Sequence, residues 1–205
     1  MESTFVAALL LQIALFLPLN IVLSTLETIK LGVHNTQNPE KEQTFEIAER
    51  ITHLDPYIDL MLLKLDRVVK YEDHIRPICI LLGPEQELLN STNDLTITGW
   101  GQISNENATQ RPWILQTAEL KRIHWDDCGR PHGYICAEAA YQFACQGDSG
   151  GPLAAYVKHN QETVNAQVGV LHGGLTDRCD SFSQYVDVVN FTNWIVDMIR
   201  LNKKI

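Results

Sequence analysis

The nine residues from Cys145 to Leu153, with the sequence CQGDSGGPL, contain a serine flanked by glycines. Such glycines let the backbone turn tightly around a hydroxyl group and leave room for a substrate carbonyl. The backbone N–H groups of Gly147 and Ser149 could then converge on a developing oxyanion, an interaction worth about 3 kcal/mol per donor. The stretch predicts a nucleophilic Ser149, which needs a histidine base and an orienting carboxylate from elsewhere in the chain.

The composition is that of an ordinary globular protein. Of the 205 residues, 45% are hydrophobic and 20% are charged, which excludes a disordered polar chain, a collagen-like repeat and a multi-span membrane protein. The length suits one domain or at most two small ones. The formal net charge of −9 gives no indication of a nucleic-acid partner, which normally requires a basic surface.

The N-terminal segment predicts export. The apolar run Phe5–Leu17 has the length of a signal-peptide core, and Val22 and Ser24 are small enough for a cleavage site after residue 24. The residues before the run carry no Lys or Arg, so a signal anchor extending through Leu23 is the alternative. We expect a signal peptide over residues 1–24, a secreted, extracellular chain, and no membrane contact in the mature form. Three sequons then become usable for glycosylation, at Asn90, Asn107 and Asn190.

From Leu31 onward the pattern predicts short β-strands separated by turns. Leu95–Gly101 alternates apolar and polar residues before two glycines, and Ala166–Leu171 ends at another glycine pair. This pattern indicates an all-β sandwich or barrel. The C-terminus differs, because apolar residues recur there at helical spacing. They predict an amphipathic helix capped by Asn190 or Thr192 and packed on the body through Phe191, Trp194, Ile195, Met198 and Ile199.

These motifs together resemble the trypsin/chymotrypsin-like secreted serine proteases. Ile58–Leu65 is similar to the family's strand that carries the catalytic Asp, and Arg76–Cys79 is similar to the R-P-I-C segment that follows it. Thr98–Gly101 matches the T-G-W-G opening of the second barrel, and Asn193–Ile195 matches the C-terminal helix. The resemblance implies an all-β fold of two Greek-key antiparallel barrels plus a C-terminal α-helix, over residues 25–205.

The resemblance also implies roles for individual residues. Ser149 is the nucleophile, Asp59 is the buried carboxylate that orients a histidine, and Gly147 and Ser149 supply the oxyanion N–H groups. Asp148 resembles the carboxylate that pairs with a newly cut N-terminal ammonium group in activated relatives. The substrate or ligand is a protein or peptide, and the family needs no cofactor or metal.

The family's catalytic histidine has no counterpart at its usual place. Nothing between Ser24 and Asp59 matches the T-A-A-H-C segment, and the R-[IV]-V-G-G activation signature is absent as well. His34 and His53 resemble other segments of the family. Four further histidines lie in polar surroundings and are expected to be solvated: His74, His124, His132 and His159. The sequence therefore predicts that this chain lacks normal peptidase turnover.

The cysteines fit the same resemblance. It pairs Cys128 with Cys136 and Cys145 with Cys179, and it leaves Cys79 over. In relatives with an upstream pro-region, the cysteine that matches Cys79 ties that region to the catalytic domain, so its partner would lie in sequence not present here. A free thiol or an intermolecular bridge is the alternative.

The specificity pocket departs from that of trypsin-like relatives. Phe143 stands where they carry Asp, so selection for Arg or Lys is not expected. His172 and Gly174 occupy the place of the usual S-W-G strand. His172 replaces the serine that supports the buried Asp, so it lies near the site but not on the side of the Asp where the family's base lies. Ser183 replaces a glycine of the pocket wall, which together with Phe143 predicts a shallow or filled pocket.

Three interpretations remain open from the sequence. The first is a serine endopeptidase in a truncated isoform or incomplete gene model, since roughly 180 residues follow the signal whereas all-β barrel domains commonly take about 200–250. The second is a non-catalytic protease homologue that acts as a secreted binding or regulatory module. The third is a fragment that does not fold stably, because a first barrel without its first strands leaves edges uncovered.

Overall fold

The structure is a computed structural model that describes residues 26–39, 41–103, 111–124, 126, 133–139, 144–159, 161–174 and 182–202. Within these residues the chain forms nine β-strands, two 3₁₀ helices and one α-helix. The strands make two separate sheets, an open one near the N-terminus and a closed barrel after it. The all-β fold with a C-terminal helix is thus confirmed.

The first sheet has three antiparallel strands, β1 (Thr28–Leu31), β2 (Gln43–Thr52) and β3 (Met61–Leu65), in that order. It stands where the sequence predicts an incomplete first barrel. Strand β3 begins at Met61, and not at Ile58 as predicted, because a turn precedes it. Asp55 accepts hydrogen bonds from the backbone N–H of Tyr57 through its side chain and of Ile58 through its carbonyl.

The second unit is a closed antiparallel barrel in the order β4-β5-β6-β9-β8-β7. Its strands are β4 (Asp94–Gly99), β5 (Gln116–Ile123), β6 (Tyr134–Glu138), β7 (Pro152–His159), β8 (Glu162–Gly174) and β9 (Ser183–Asp187). Strand β9 returns to lie beside β6, which is the order of a Greek key. Closure of the barrel leaves no unpaired strand edge, so its interior is a continuous apolar core.

Strand β3 is apolar except at Lys64 because both of its faces are covered. Met61, Leu63 and Leu65 pack with Phe45 and Ile29 inside the first sheet. On the opposite face, Leu62 and the preceding Leu60 pack with residues of the barrel and of the C-terminal segment: Val170, Val186, Val188, Ile195 and Ile199. The alternation with period two thus divides one strand between two cores, and the second core joins the two sheets.

The C-terminal helix α1 (Thr192–Leu201) follows a 3₁₀ turn over Val188–Phe191. Ile195 and Ile199 are fully buried against the body, as the helical spacing predicts. The predicted capping residues are wrong. Phe191 is the residue before the helix, and no side chain caps it. Asp187 instead caps the preceding 3₁₀ turn, where its carboxylate accepts from the backbone N–H of Val189 at 3.0 Å.

Burial raises the pKa of Asp187, and the positive charge of Arg122 and the hydrogen bonds from residues 189 and 190 partly oppose that rise. A second 3₁₀ helix, Gly83–Ser91, connects the two sheets and reaches the same region. The side chain of Gln86 on it donates to the carbonyl of Val189 and to the hydroxyl of Thr192. Among the described residues, no helix has the length and apolar character needed to cross a bilayer.

Candidate active site

Ser149 lies where two tight turns meet. The first turn spans residues 145–148 and is closed by a 3.0 Å hydrogen bond from the N–H of Asp148 to the carbonyl of Cys145. Its third residue, Gly147, has a φ of +99°, which a type II turn requires and a side chain would strain. Ser149 follows directly and is half-buried.

The second turn spans residues 148–151 and is closed by a 2.7 Å hydrogen bond from the N–H of Gly151 to the carbonyl of Asp148. Its third residue, Gly150, has a φ of +85°. Two glycines are therefore needed for backbone geometry, one on each side of the serine. The hydrogen bonds that close the turns use the N–H groups of Asp148 and Gly151, and neither uses one of the two predicted oxyanion donors.

The turn is attached to strand β8 by two hydrogen bonds at Leu171. The N–H of Gly150 donates to the carbonyl of Leu171, and the N–H of Leu171 donates to the carbonyl of Gly151, both at 2.9 Å. Two residues thus oppose one, and the first of them is a glycine of positive φ, which defines a G1 β-bulge. The bulge attaches the turn that carries Ser149 to β8 at Leu171, the residue before His172.

The carboxylate of Asp148 anchors the turn through two hydrogen bonds from backbone N–H groups. Its oxygens accept from the backbone N–H of Gly101 at 2.7 Å and of Cys145 at 3.0 Å. A Cβ at Gly99 or Gly101 would lie 2.0 or 2.3 Å from atoms of this carboxylate, so only glycine fits there. Burial raises the pKa of Asp148, while these two hydrogen bonds and the positive charge of Arg111 oppose the rise.

A cavity of about 70 Å³ opens beside the Asp148 carboxylate and is lined by Gly99, Gly101, Gln102, Gln116 and Thr117, among others. On the other side of the turn, the Arg111 guanidinium lies against Gly147. Its Cζ would be 3.1 Å from a Cβ placed on that glycine. The sequence gives no indication of this contact, because Arg111 is distant in sequence and belongs to no motif.

Asp59 is buried directly before β3, and the structure pairs it with His172. The Nδ1 atom of His172 lies 2.6 Å from Oδ2 of Asp59, and their side chains are 19% and 8% exposed. The Tyr134 ring meets the His172 imidazole edge-on, with ring centroids 5.5 Å apart. The predicted carboxylate therefore contacts the histidine that the sequence resemblance places where relatives have the serine that supports this Asp.

The other described histidines have different surroundings. His53 stacks edge-to-face on Phe191 and Trp194, with centroids 5.3 and 4.9 Å apart. His74 and His124 are exposed as predicted, and Nε2 of His74 lies 3.0 Å from the carbonyl of residue 41. His34 is also exposed, and its carbonyl accepts from the N–H of residue 115. His132 lies outside the described residues, and His159 is half-buried at the end of β7.

The predicted pocket wall is partly described. Gly174 pairs with Ser183 across strands β8 and β9, and Ser183 is 3% exposed. Phe143 lies outside the described residues, so the predicted pocket floor stays a prediction. Burial also raises the pKa of Tyr185, which stands on β9 in the barrel interior. Among the described residues no group of three metal-ligating side chains occurs.

The predicted covalent features are described only in part. Cys136 and Cys145 are both disulfide-bonded, but their predicted partners Cys128 and Cys179 lie outside the described residues. Cys79 is a half-buried free thiol whose pKa is raised by burial.

Of the three predicted glycosylation sites, Asn190 is exposed and its side-chain amide donates to Asp187 at 3.1 Å. Asn90 lies in the 3₁₀ helix Gly83–Ser91, and Asn107 falls outside the described residues.

Comparison with known proteins points in one direction. The family description "Trypsin" matches residues 22–195. The serine proteinase stubble of Drosophila melanogaster is 31% identical over 84% of this chain and 24% of its own length. Human testisin is 33% identical over 73% of this chain and 50% of its own length. The thrombin-like enzyme cerastocytin of Cerastes cerastes is 27% identical over 85% of this chain and 69% of its own length. The chain thus spans about a quarter of the first relative and half of the second.

Proposed function

Because this chain belongs to the trypsin family of serine proteases, we propose that it is a serine-type endopeptidase domain that hydrolyses peptide bonds in protein substrates through Ser149. The observation that supports this most is the pair of turns around Ser149, fixed by hydrogen bonds to the half-buried Asp148 carboxylate and by the bulge at Leu171. A serine held in this way has the backbone preorganisation that acyl transfer requires.

The chemistry assigns three roles: one to the Ser149 hydroxyl, one to the N–H groups of its turn and one to the Asp59 carboxylate. The Ser149 hydroxyl attacks the substrate carbonyl. The N–H groups of Gly147 and Ser149 donate to the oxyanion that develops, which is where a preorganised site gains most over water. Asp59 orients the imidazole that accepts the serine proton. Because no histidine of this sequence lies at the family's usual base position, we expect turnover to be slow.

The substrate class follows from the family, whose members act on proteins. Without an acidic residue at position 143, we expect no preference for Arg or Lys at the cleaved bond. The chain spans only a fraction of several relatives. Peptide-bond hydrolysis and protein substrates are therefore proposed for the whole protein as well as for this domain.

We place the domain outside the cell, with residues 1–24 as its signal peptide, glycans at the three sequons and the mature chain away from the membrane. The disulfide-bonded state of Cys136 and Cys145 supports an oxidising compartment. From the resemblance to the family we propose the pairs Cys128–Cys136 and Cys145–Cys179. Cys79 then remains as the thiol that would bridge to an upstream pro-region.

A second candidate function is a non-catalytic protease homologue that binds a protein without cleaving it. The absence of a histidine at the usual base position is the observation that favours it. This candidate needs the same fold and the same pocket, but it needs no reactive serine.

The proposed function predicts slow, Ser149-dependent cleavage of peptides. The purified chain is incubated for hours with a diverse peptide mixture, and new termini are identified by mass spectrometry. Cleavage should fall at least about 10³-fold in Ser149→Ala, because the nucleophile is lost. Thr163→Ala, which removes an exposed hydroxyl at the far end of β8, should cleave like the wild type. Absence of cleavage by a cooperatively folded wild-type chain would instead support the binding module.

A further inference from the structure

The Asp59–His172 pair has the hydrogen-bonding pattern that a general base needs. An ionised carboxylate only accepts hydrogen bonds, so Nδ1 of His172, 2.6 Å away, carries the proton of this contact. In the neutral ring the lone pair then lies on Nε2, at the opposite side of the imidazole. Burial of the carboxylate strengthens the contact and holds the ring in one orientation.

The hydrogen bonds at Leu171 bring the backbones of Ser149 and His172 together. Pro152 of β7 pairs with Val170 of β8, and the contact continues at Leu171. There the N–H of Gly150, the residue after Ser149, donates to the carbonyl of Leu171, the residue before His172, at 2.9 Å. Chain connectivity through this hydrogen bond makes Ser149 and His172 neighbours at the place where Asp59 contacts the imidazole.

Given the proposed function, on which this inference rests, we propose that His172 is the general base of the site, taking the role that the family gives to an upstream histidine. The Ser149 Oγ–C bond forms as the Ser149 proton passes to Nε2 of His172. The same proton then passes to the leaving amine as the C–N bond breaks. Water hydrolyses the resulting ester, giving its proton to His172 and then back to Ser149. Asp59 keeps its negative charge throughout and stabilises the imidazolium.

The surroundings of His172 suit this role. The negatively charged Asp59 faces it from the segment before β3, and Tyr134 meets its ring from β6. Its side chain is 19% exposed, so the imidazole is partly accessible. Strand β8 thus offers a base next to the turn that carries Ser149.

The test uses a fluorophosphonate probe, which forms an O–P bond with a reactive serine and releases fluoride. The labelling rate at Ser149 is measured for the wild type, His172→Gln and Asp59→Asn. Both variants should label at least about 100-fold more slowly, because a general base typically contributes that much or more. His74→Gln, which alters an exposed histidine outside the site, is the matched control and should label like the wild type.

The outcomes separate the inference from the proposed function. Labelling that His172→Gln slows less than about threefold overturns the role of His172 and leaves Ser149 as a nucleophile with another base. No labelling of the wild type overturns both. If His172→Gln does not melt cooperatively, Asp59→Asn decides: a folded Asp59→Asn chain that labels within about threefold of the wild type overturns the inference.

Discussion

Gly101→Ala is expected to lower the free energy of unfolding by about 3 kcal/mol and to disable the Ser149 turn. A methyl group at position 101 would lie 2.3–2.4 Å from three atoms of the Asp148 side chain. The carboxylate must move, and it then loses the 2.7 Å hydrogen bond from the residue 101 N–H. Overpacking costs about 1–3 kcal/mol, and a lost hydrogen bond to a charged group costs about 1.5–3 kcal/mol. Because backbone groups of Asp148 close both turns around Ser149, fluorophosphonate labelling of Ser149 should also be slower in this variant.

Chemical denaturation of the variant measures this effect, and Gly173→Ala is its control. A methyl group added at position 173 would meet no atom within 4 Å, so this substitution should change the free energy of unfolding by less than about 0.5 kcal/mol. If Gly101→Ala unfolded within about 0.5 kcal/mol of the wild type, Asp148 would not be held as described.

Leu62→Ala is expected to destabilise the chain by about 3 kcal/mol. Leu62 is fully buried in the core that joins β3 to Val170 of β8 and to Ile195 of α1. Truncating the side chain at such a position leaves a cavity that the rigid strands cannot close, and the usual cost is about 2–5 kcal/mol. Since β3 follows Asp59 and β8 carries His172, the same cavity should loosen the pair.

Equilibrium unfolding in urea gives the size of this effect. Leu54→Ala removes the same atoms from a side chain that is 90% exposed, so it should cost less than about 0.5 kcal/mol. Equal costs for the two leucines would mean that the core between the sheets is not formed in solution.

Much of the fold could be predicted from the sequence because local patterns specify it. The alternation in Leu95–Gly101 and the run Ala166–Leu171 both lie in or overlap barrel strands, β4 and β8. The helical spacing of Ile195 and Ile199 marks the buried face of α1. The tight turns around Ser149 could be predicted for the same reason, because the positive φ of Gly147 and Gly150 is favoured by the glycine at each position.

The wrong cap prediction is a local error. A 3₁₀ turn precedes α1, so Asp187 caps that turn, and neither Asn190 nor Thr192 caps the helix. The omissions arise from contacts between segments distant in sequence. His172 is 113 positions from Asp59, so no local pattern specifies their contact, and only the resemblance places His172 where the Asp is supported. The contact of Arg111 with Gly147 likewise joins residues that are distant in sequence and that no local pattern connects.

The most direct test of Ser149 as the nucleophile is to find which residue carries the adduct after the folded wild-type chain reacts with a fluorophosphonate. The chain is digested, and the modified peptide is sequenced by tandem mass spectrometry, with a denatured sample alongside to exclude non-specific labelling. We predict one adduct, on Ser149, that forms in the folded chain and not in the denatured one. An adduct on another residue, or an unmodified Ser149 in a cooperatively folded chain, would contradict this role for Ser149.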